Sequence, residues 1–264
     1  MARSESSRPV PIDPSRARDW LDRWDRQQEL YLPHREARFQ AMFDVLEAML
    51  PPEFRALDVG AGPGSLSARL LARFPNARST AVDFDPVLLA LGRAAHRDLE
   101  GRLAWIEADL RTPSWAAGLP SGDYDAVLST TALHWFDERT LARIYGDLAS
   151  RLRTGGLLLN GDEIIARSDP PLVRTLLDSV HERFRRTRDA PGPKEDWETW
   201  WSRISQEPGL ADEVTERRRR YPQAHTDGPQ VSLEGHAEFL RAAGFRAVGI
   251  VWQEFDNRVL VAVR

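Results

Sequence analysis

The chain has 264 residues, 42% of them hydrophobic, a formal net charge of -4 and no cysteine. Length and apolar content support one large buried core, alone or with an insertion. The negative balance speaks against nucleic acid as the main partner, and the lack of cysteine excludes disulfides, a thiolate nucleophile and Cys-ligated metal.

No apolar run approaches a membrane span, and Met1 to Pro14 is polar rather than a signal sequence. A cytoplasmic protein without membrane association is expected, as a monomer or homodimer. Residues 1–34 read as a polar arm and a helix from about Ser15, with Trp20, Leu21, Trp24 and Gln28 on one face. Pro33 interrupts that helix. A second helix starts near His34. Phe39, Met42, Phe43, Leu46 and Met49 form its apolar stripe, and Pro51-Pro52 ends it.

A short apolar run, Ala56-Leu57-Asp58-Val59, then leads into Gly60-Ala61-Gly62-Pro63-Gly64 and a helical segment from Leu66 to Phe74. The pattern is strand, glycine turn, helix. Gly60 and Gly62 lack a Cβ, so the backbone can turn sharply there and approach a ligand. The helix N-terminus that follows favours an anion, a carboxylate as well as a phosphate. The dinucleotide fingerprint needs its third glycine where Ser65 stands. Here the third glycine is Gly64, which makes the pattern G-x-G-x-G.

The next strand, Ser79 to Val82, closes at Asp83-Phe84-Asp85-Pro86. Asp83 stands about 20 residues past the glycine turn, where an acidic side chain binds ribose hydroxyls. Phe84 can pack on a flat base, and Asp85 before Pro86 suits a helix cap. Further strands are expected at Leu103–Glu107, followed by Asp109-Leu110, at Tyr124–Ser129, and at Leu157–Asn160 after a Gly155-Gly156 turn. Strands separated by helical segments give a parallel sheet with right-handed crossovers.

After Asp162 the rhythm breaks. Residues 168–230 read as an inserted helical cap holding His181, Trp197, Trp200, Trp201, the run Arg217–Arg220 and His225. The arginine run reads as the solvated end of a helix. Trp197, Trp200 and Trp201 are expected to pack on the sheet domain or to line a pocket. An aromatic pocket favours a small organic acceptor over a polymer. The sheet pattern resumes with a helix from Leu233 and two strands, Ala247–Glu254 and Arg258–Val263. A tight turn at Asp256-Asn257 makes them an antiparallel hairpin at the sheet edge.

The G-x-G-x-G turn, with Asp58 two residues ahead of it, resembles motif I of the class I S-adenosylmethionine (SAM) methyltransferases. The resemblance covers roughly residues 35–165 and 231–264. It implies a Rossmann-like α/β fold: a seven-stranded, mostly parallel sheet with an antiparallel C-terminal hairpin and N-terminal helices. The domain would comprise residues 35–167 and 231–264, with residues 168–230 as a cap on the substrate side. It implies SAM as cofactor and methyl transfer to a small organic acceptor.

Motif I implies that Asp58, Gly60, Ala61, Gly62 and Gly64 surround the methionine part of SAM. The resemblance also implies Asp83 on the ribose, Phe84 beside the adenine, and Asp109-Leu110 reading the adenine. Ser129 to Phe136 looks like motif IV, and Leu133-His134-Trp135-Phe136 is especially similar to the trans-aconitate methyltransferase type. There Thr130 lines the methionine and His134 faces the acceptor or the cofactor. His134 is the candidate general base. Arg38, then Arg35, is the candidate cation for the SAM carboxylate. Tyr31, Trp135, Trp197 and Trp201 are candidates for the acceptor wall. No metal is needed, because a sulfonium is already an activated leaving group. Two alternatives stand beside this reading: a SAM-binding protein that does not methylate, and an NAD-dependent oxidoreductase. Ser65 and the terminal hairpin speak against the second.

Overall fold

The computed structural model describes residues 11–32, 34–120, 122–187, 195–221 and 231–264. His225 and the first ten positions lie outside the described residues. The strands are β1 (Arg55–Val59), β2 (Arg78–Asp83), β3 (Leu103–Glu107), β4 (Tyr124–Thr130), β5 (Leu152–Glu163), β6 (Ala247–Glu254) and β7 (Asn257–Val263). They form one seven-stranded sheet in the order β3-β2-β1-β4-β5-β7-β6. The first five pair in parallel, and β7 runs antiparallel to both β5 and β6. The order reverses between β1 and β4, and ligands of open α/β sheets bind at the carboxyl ends of the strands beside such a switch.

Successive residues of a strand face opposite sides, and both sides of this sheet are covered. Leu57, Val59 and Val127 pack on one side against α5 (Glu138–Arg151) and α9 (Leu233–Ala242). Ala56 and Leu128 pack on the other against α2 (Arg35–Met49) and α3 (Ser65–Arg73). Double burial explains why β1 and β4 read as apolar runs rather than alternations.

Several boundaries differ from expectation. β5 begins at Leu152, so Gly155 and Gly156 lie inside the strand, where its pairing with β4 shifts register. The hairpin turn sits at Phe255-Asp256, one residue early, and Phe255 takes the left-handed φ of 56° that the turn requires. In α1 (Pro14–Tyr31), capped by Asp13, the buried face carries Gln27 rather than Gln28. Met49 ends the stripe of α2 in solvent.

A third cluster joins α1 to α4 (Pro86–Ala95), α7 (Trp197–Ile204) and α8 (Ala211–Arg220). Trp200 is fully buried, 6.0 Å from Trp20 and 4.9 Å from Trp24 between ring centroids. Trp197 and Trp201 are partly buried on the same ring of Trp24, at 5.5 and 6.3 Å. The N-terminal helix and the insertion therefore pack together on α4. By contrast α6 (Pro171–Thr187) exposes Leu172 and Leu176. Among the described residues no helix is long and apolar enough to cross a membrane.

Candidate active site

The turn after β1 is built on left-handed glycines. Gly60, Gly62 and Gly64 have φ of 69°, 55° and 82°. A Cβ on Gly60 would stand 2.3 Å from the Cβ of Ala132. Only glycine therefore lets this turn meet the loop that follows β4, and that contact brings the two motifs together.

Asp83, at the end of β2, ties the turn down. Its Oδ2 accepts from the Gly62 N–H at 2.7 Å, and its Oδ1 accepts from the N–H groups of Phe84 and Asp85 at 2.7 and 2.8 Å. A carboxylate has about four lone-pair positions. Three are taken by backbone, so the remaining capacity for a ligand hydroxyl lies on Oδ2. Burial pushes the Asp83 pKa up to about 6.

Asp58 is fully buried at the end of β1. Ser67 Oγ donates to its Oδ2 at 2.7 Å, while Oδ1 has no hydrogen-bond partner among the described residues. Burial, with Asp83 adding to it, pushes Asp58 up to about 7. A buried acceptor left without a donor beside a left-handed turn suits a ligand that brings a cation or a donor.

Both carboxyls lie above their unfolded value of about 4, so the folded chain holds protons that the unfolded chain has released. Their contribution to stability is complete below about pH 4 and is lost as pH rises through the range of about 6 to 7. The Asp58→Asn variant is therefore expected to gain melting temperature relative to the parent as pH goes from 5 to 8. A difference that stays constant across that range would refute the assignment.

The loop after β4 carries strain. Thr131 has φ of 50°, unusual for a β-branched residue. Its N–H donates to the Gly161 carbonyl at 3.0 Å. Next comes a short 3-10 turn, Leu133–Trp135. His134 Nδ1 lies 2.6 Å from Asp162 Oδ1, and the His134 backbone N–H donates to Oδ2 at 3.3 Å. Burial alone would raise Asp162, but His134 and Arg38 beside it hold it below the ordinary carboxylate range. An ionised carboxylate only accepts, so Nδ1 carries the hydrogen and Nε2 the basic lone pair. Sequence reasoning did not assign Asp162 a role. Its signal is register: Thr130 stands opposite Gly161 across β4 and β5, so the residues after them emerge side by side. Trp135 tilts over the imidazole at 4.6 Å.

Arg38 is the candidate cation for the SAM carboxylate. Its guanidinium is fully buried and donates to Thr130 Oγ1 at 2.6 Å and Asn257 Oδ1 at 3.1 Å. It braces the ends of β4 and β7. Arg35 is likewise buried and donates to Asp25 at 2.8 Å.

On the base side, Asp109 accepts from Arg111 through both the backbone N–H and the guanidinium, at 2.9 Å each, so its oxygens are already engaged. The Arg111 guanidinium lies 5.3 Å from the Phe84 ring. Leu110 is buried. The Tyr31 hydroxyl accepts from the Trp197 N–H at 3.2 Å and joins α1 to α7. Trp197 and Trp201, candidates for the acceptor wall, are partly buried in the tryptophan cluster. That cluster reaches the glycine turn, since Trp24 lies 3.9 Å from where a Cβ on Gly62 would be.

A family model described as a methyltransferase domain matches residues 56–156. A trans-aconitate 2-methyltransferase of Azoarcus sp. is 34% identical over 137 residues, 51% of this chain and 49% of that protein. An uncharacterized methyltransferase of Mycobacterium tuberculosis is 40% identical over 118 residues, 44% of this chain and 52% of that one. The chain thus spans about half the length of the curated relatives it matches. Among solved structures, the magnesium protoporphyrin IX methyltransferase of Synechocystis PCC 6803, with bound SAH, aligns at a TM-score of 0.53 and 18% identity. That alignment covers 96% of this chain and 100% of that one. The methyltransferase SibL aligns at 0.55 and 20% identity, over 85% of this chain and 55% of that one. At these identities the structural likeness concerns the fold.

Proposed function

We propose that this chain is a class I SAM-dependent methyltransferase that transfers the methyl group of SAM to a small organic acceptor, with His134 as general base. The observation that carries the proposal is the His134–Asp162 pair, held next to the glycine turn by the approach of Ala132 to Gly60. SAM supplies an electrophilic methyl on a sulfonium when bound. In this reading Asp83 accepts from a ribose hydroxyl, and Asp58 Oδ1 faces the cationic, donor-bearing end. Orientation is then most of what the protein contributes to an in-line displacement.

His134 Nε2 takes the proton that an O–H, N–H or C–H acceptor must lose, and Asp162 stabilises the resulting imidazolium. Bound SAM would supply the methyl group, the pair of its methyl–sulfur bond staying on sulfur as S-adenosylhomocysteine leaves, and the acceptor's proton would pass to His134 Nε2. The test is incubation with SAM and an acceptor library, reading S-adenosylhomocysteine, beside thermal shifts with SAM and NAD. A shift with SAM, none with NAD, and product with at least one acceptor is expected. A shift with NAD alone would overturn the reading. A SAM shift without turnover on any acceptor would favour the non-methylating alternative.

A further inference from the structure

We infer that the insertion completes the cofactor site: Arg217, Arg220 and Tyr221, at the C-terminal end of α8, form an outer wall over the base-and-ribose subsite and slow the departure of the cofactor. This rests on the reading that Asp83 and Phe84 take the ribose and the base.

The four arginines of α8 divide by helical spacing. Arg217 and Arg220, three residues apart, share a face. Arg217 Nε donates to Asp85 at 2.6 Å, and its guanidinium lies 3.5 Å from the Trp201 ring and 5.0 Å from that of Tyr221. Arg220 donates to the Phe84 carbonyl at 2.7 Å and to Glu107 at 2.6 Å, with its guanidinium 4.7 Å from the Phe84 ring. Tyr221 meets Phe84 at 5.9 Å between centroids. The side chains of Arg217 and Arg220 are 22% and 11% exposed, whereas that of Arg219 is 75% exposed and Arg218 is also in solvent. A merely solvated helix end would not sort its arginines in this way.

The sorting follows from charge. Asp83, Asp85 and Glu107 place carboxylates around Phe84 at the ends of β2 and β3. Two guanidiniums offset them, and flat guanidiniums also stack on aromatic rings, as an ammonium does not. The grip of α8 is otherwise slight, because Val214 is its one buried residue. An element held mainly by ion pairs opens more easily than one held by core packing. A base bound beside Phe84 would add contacts to this wall, and by linkage the wall would then tighten the base.

The experiment measures SAM affinity by calorimetry and its dissociation by stopped-flow tryptophan fluorescence. Removing Arg220 (Arg220→Ala) is expected to weaken SAM about tenfold, chiefly through faster dissociation, with the acceptor KM unchanged. Arg220→Lys should fall between, since it keeps the charge but not the stacking plane. Arg218→Ala, on the solvent side, should match the parent. Tyr221→Ala gives a second reading of the same wall if Arg220→Ala folds poorly by circular dichroism. Parent-like dissociation in both Arg220→Ala and Tyr221→Ala would overturn the inference, and so would an equal effect of Arg218→Ala. Asp83→Asn separates the two levels. If it leaves SAM binding intact, the subsite reading itself fails. If it abolishes binding while the α8 variants do nothing, only the wall fails.

Discussion

The Asp83→Asn variant is expected to lose about 10- to 100-fold in SAM affinity while keeping its fold. Asp83 joins two turns, accepting from Gly62 on one side and from Phe84 and Asp85 on the other. An asparagine keeps the shape but has one acceptor oxygen. If that oxygen serves Phe84 and Asp85, the amide NH2 confronts the Gly62 N–H, donor against donor. The glycine turn then loses its anchor at the point where the backbone must approach the ligand. The charge-assisted bond to a ribose hydroxyl is lost as well. Such a bond contributes about 1.5–3 kcal/mol, and each 1.4 kcal/mol is tenfold in affinity. Calorimetry measures the loss, and circular dichroism checks the fold. Affinity within twofold of the parent would mean that Asp83 only shapes the turn.

The glycine turn and the acid at the end of the next strand were legible in the chain because their requirements are local, whereas the bond between Asp83 and the Gly62 N–H was not. Three left-handed φ values demand glycines at Gly60, Gly62 and Gly64, and an acid about 20 residues later marks the end of the next strand. The alternation of strands and helices, and the close terminal hairpin, are also written in spacing. What could not be read depends on contacts across long stretches of chain. Nothing near Arg38 marks it as fully buried, and charged residues of this kind are seldom so unless partnered. Its partners, Thr130 and Asn257, come from strands far along the chain. The tryptophans of α7 meet Trp20 and Trp24 only because α1 and the insertion share α4 as a floor. The arginine run illustrates a signal that was present but outweighed. Spacing put Arg217 and Arg220 on one face, yet the charge of a single run cannot show which acids it will meet.

The largest effect on turnover is expected at the His134–Asp162 pair. A positioned general base contributes about 10²–10⁴-fold to rate, so His134→Ala should lower kcat by a factor in that range and leave SAM affinity within a few-fold. Asp162→Asn should follow in the same direction by a different route. An asparagine cannot stabilise the imidazolium as a carboxylate does, and its amide can donate to Nδ1, moving the ring hydrogen to Nε2, where the basic lone pair must stand. The two losses should not add, because both variants disable one proton-accepting unit. The pH profile distinguishes this from a packing role. For the parent, kcat should rise with pH as the imidazole sheds its proton, and His134→Gln should lose that limb. A packing role predicts instead that His134→Phe, which keeps an aromatic ring against Trp135 at 4.6 Å in the parent, restores turnover with an unaltered profile. That result would remove the base from His134 and leave deprotonation to the acceptor itself.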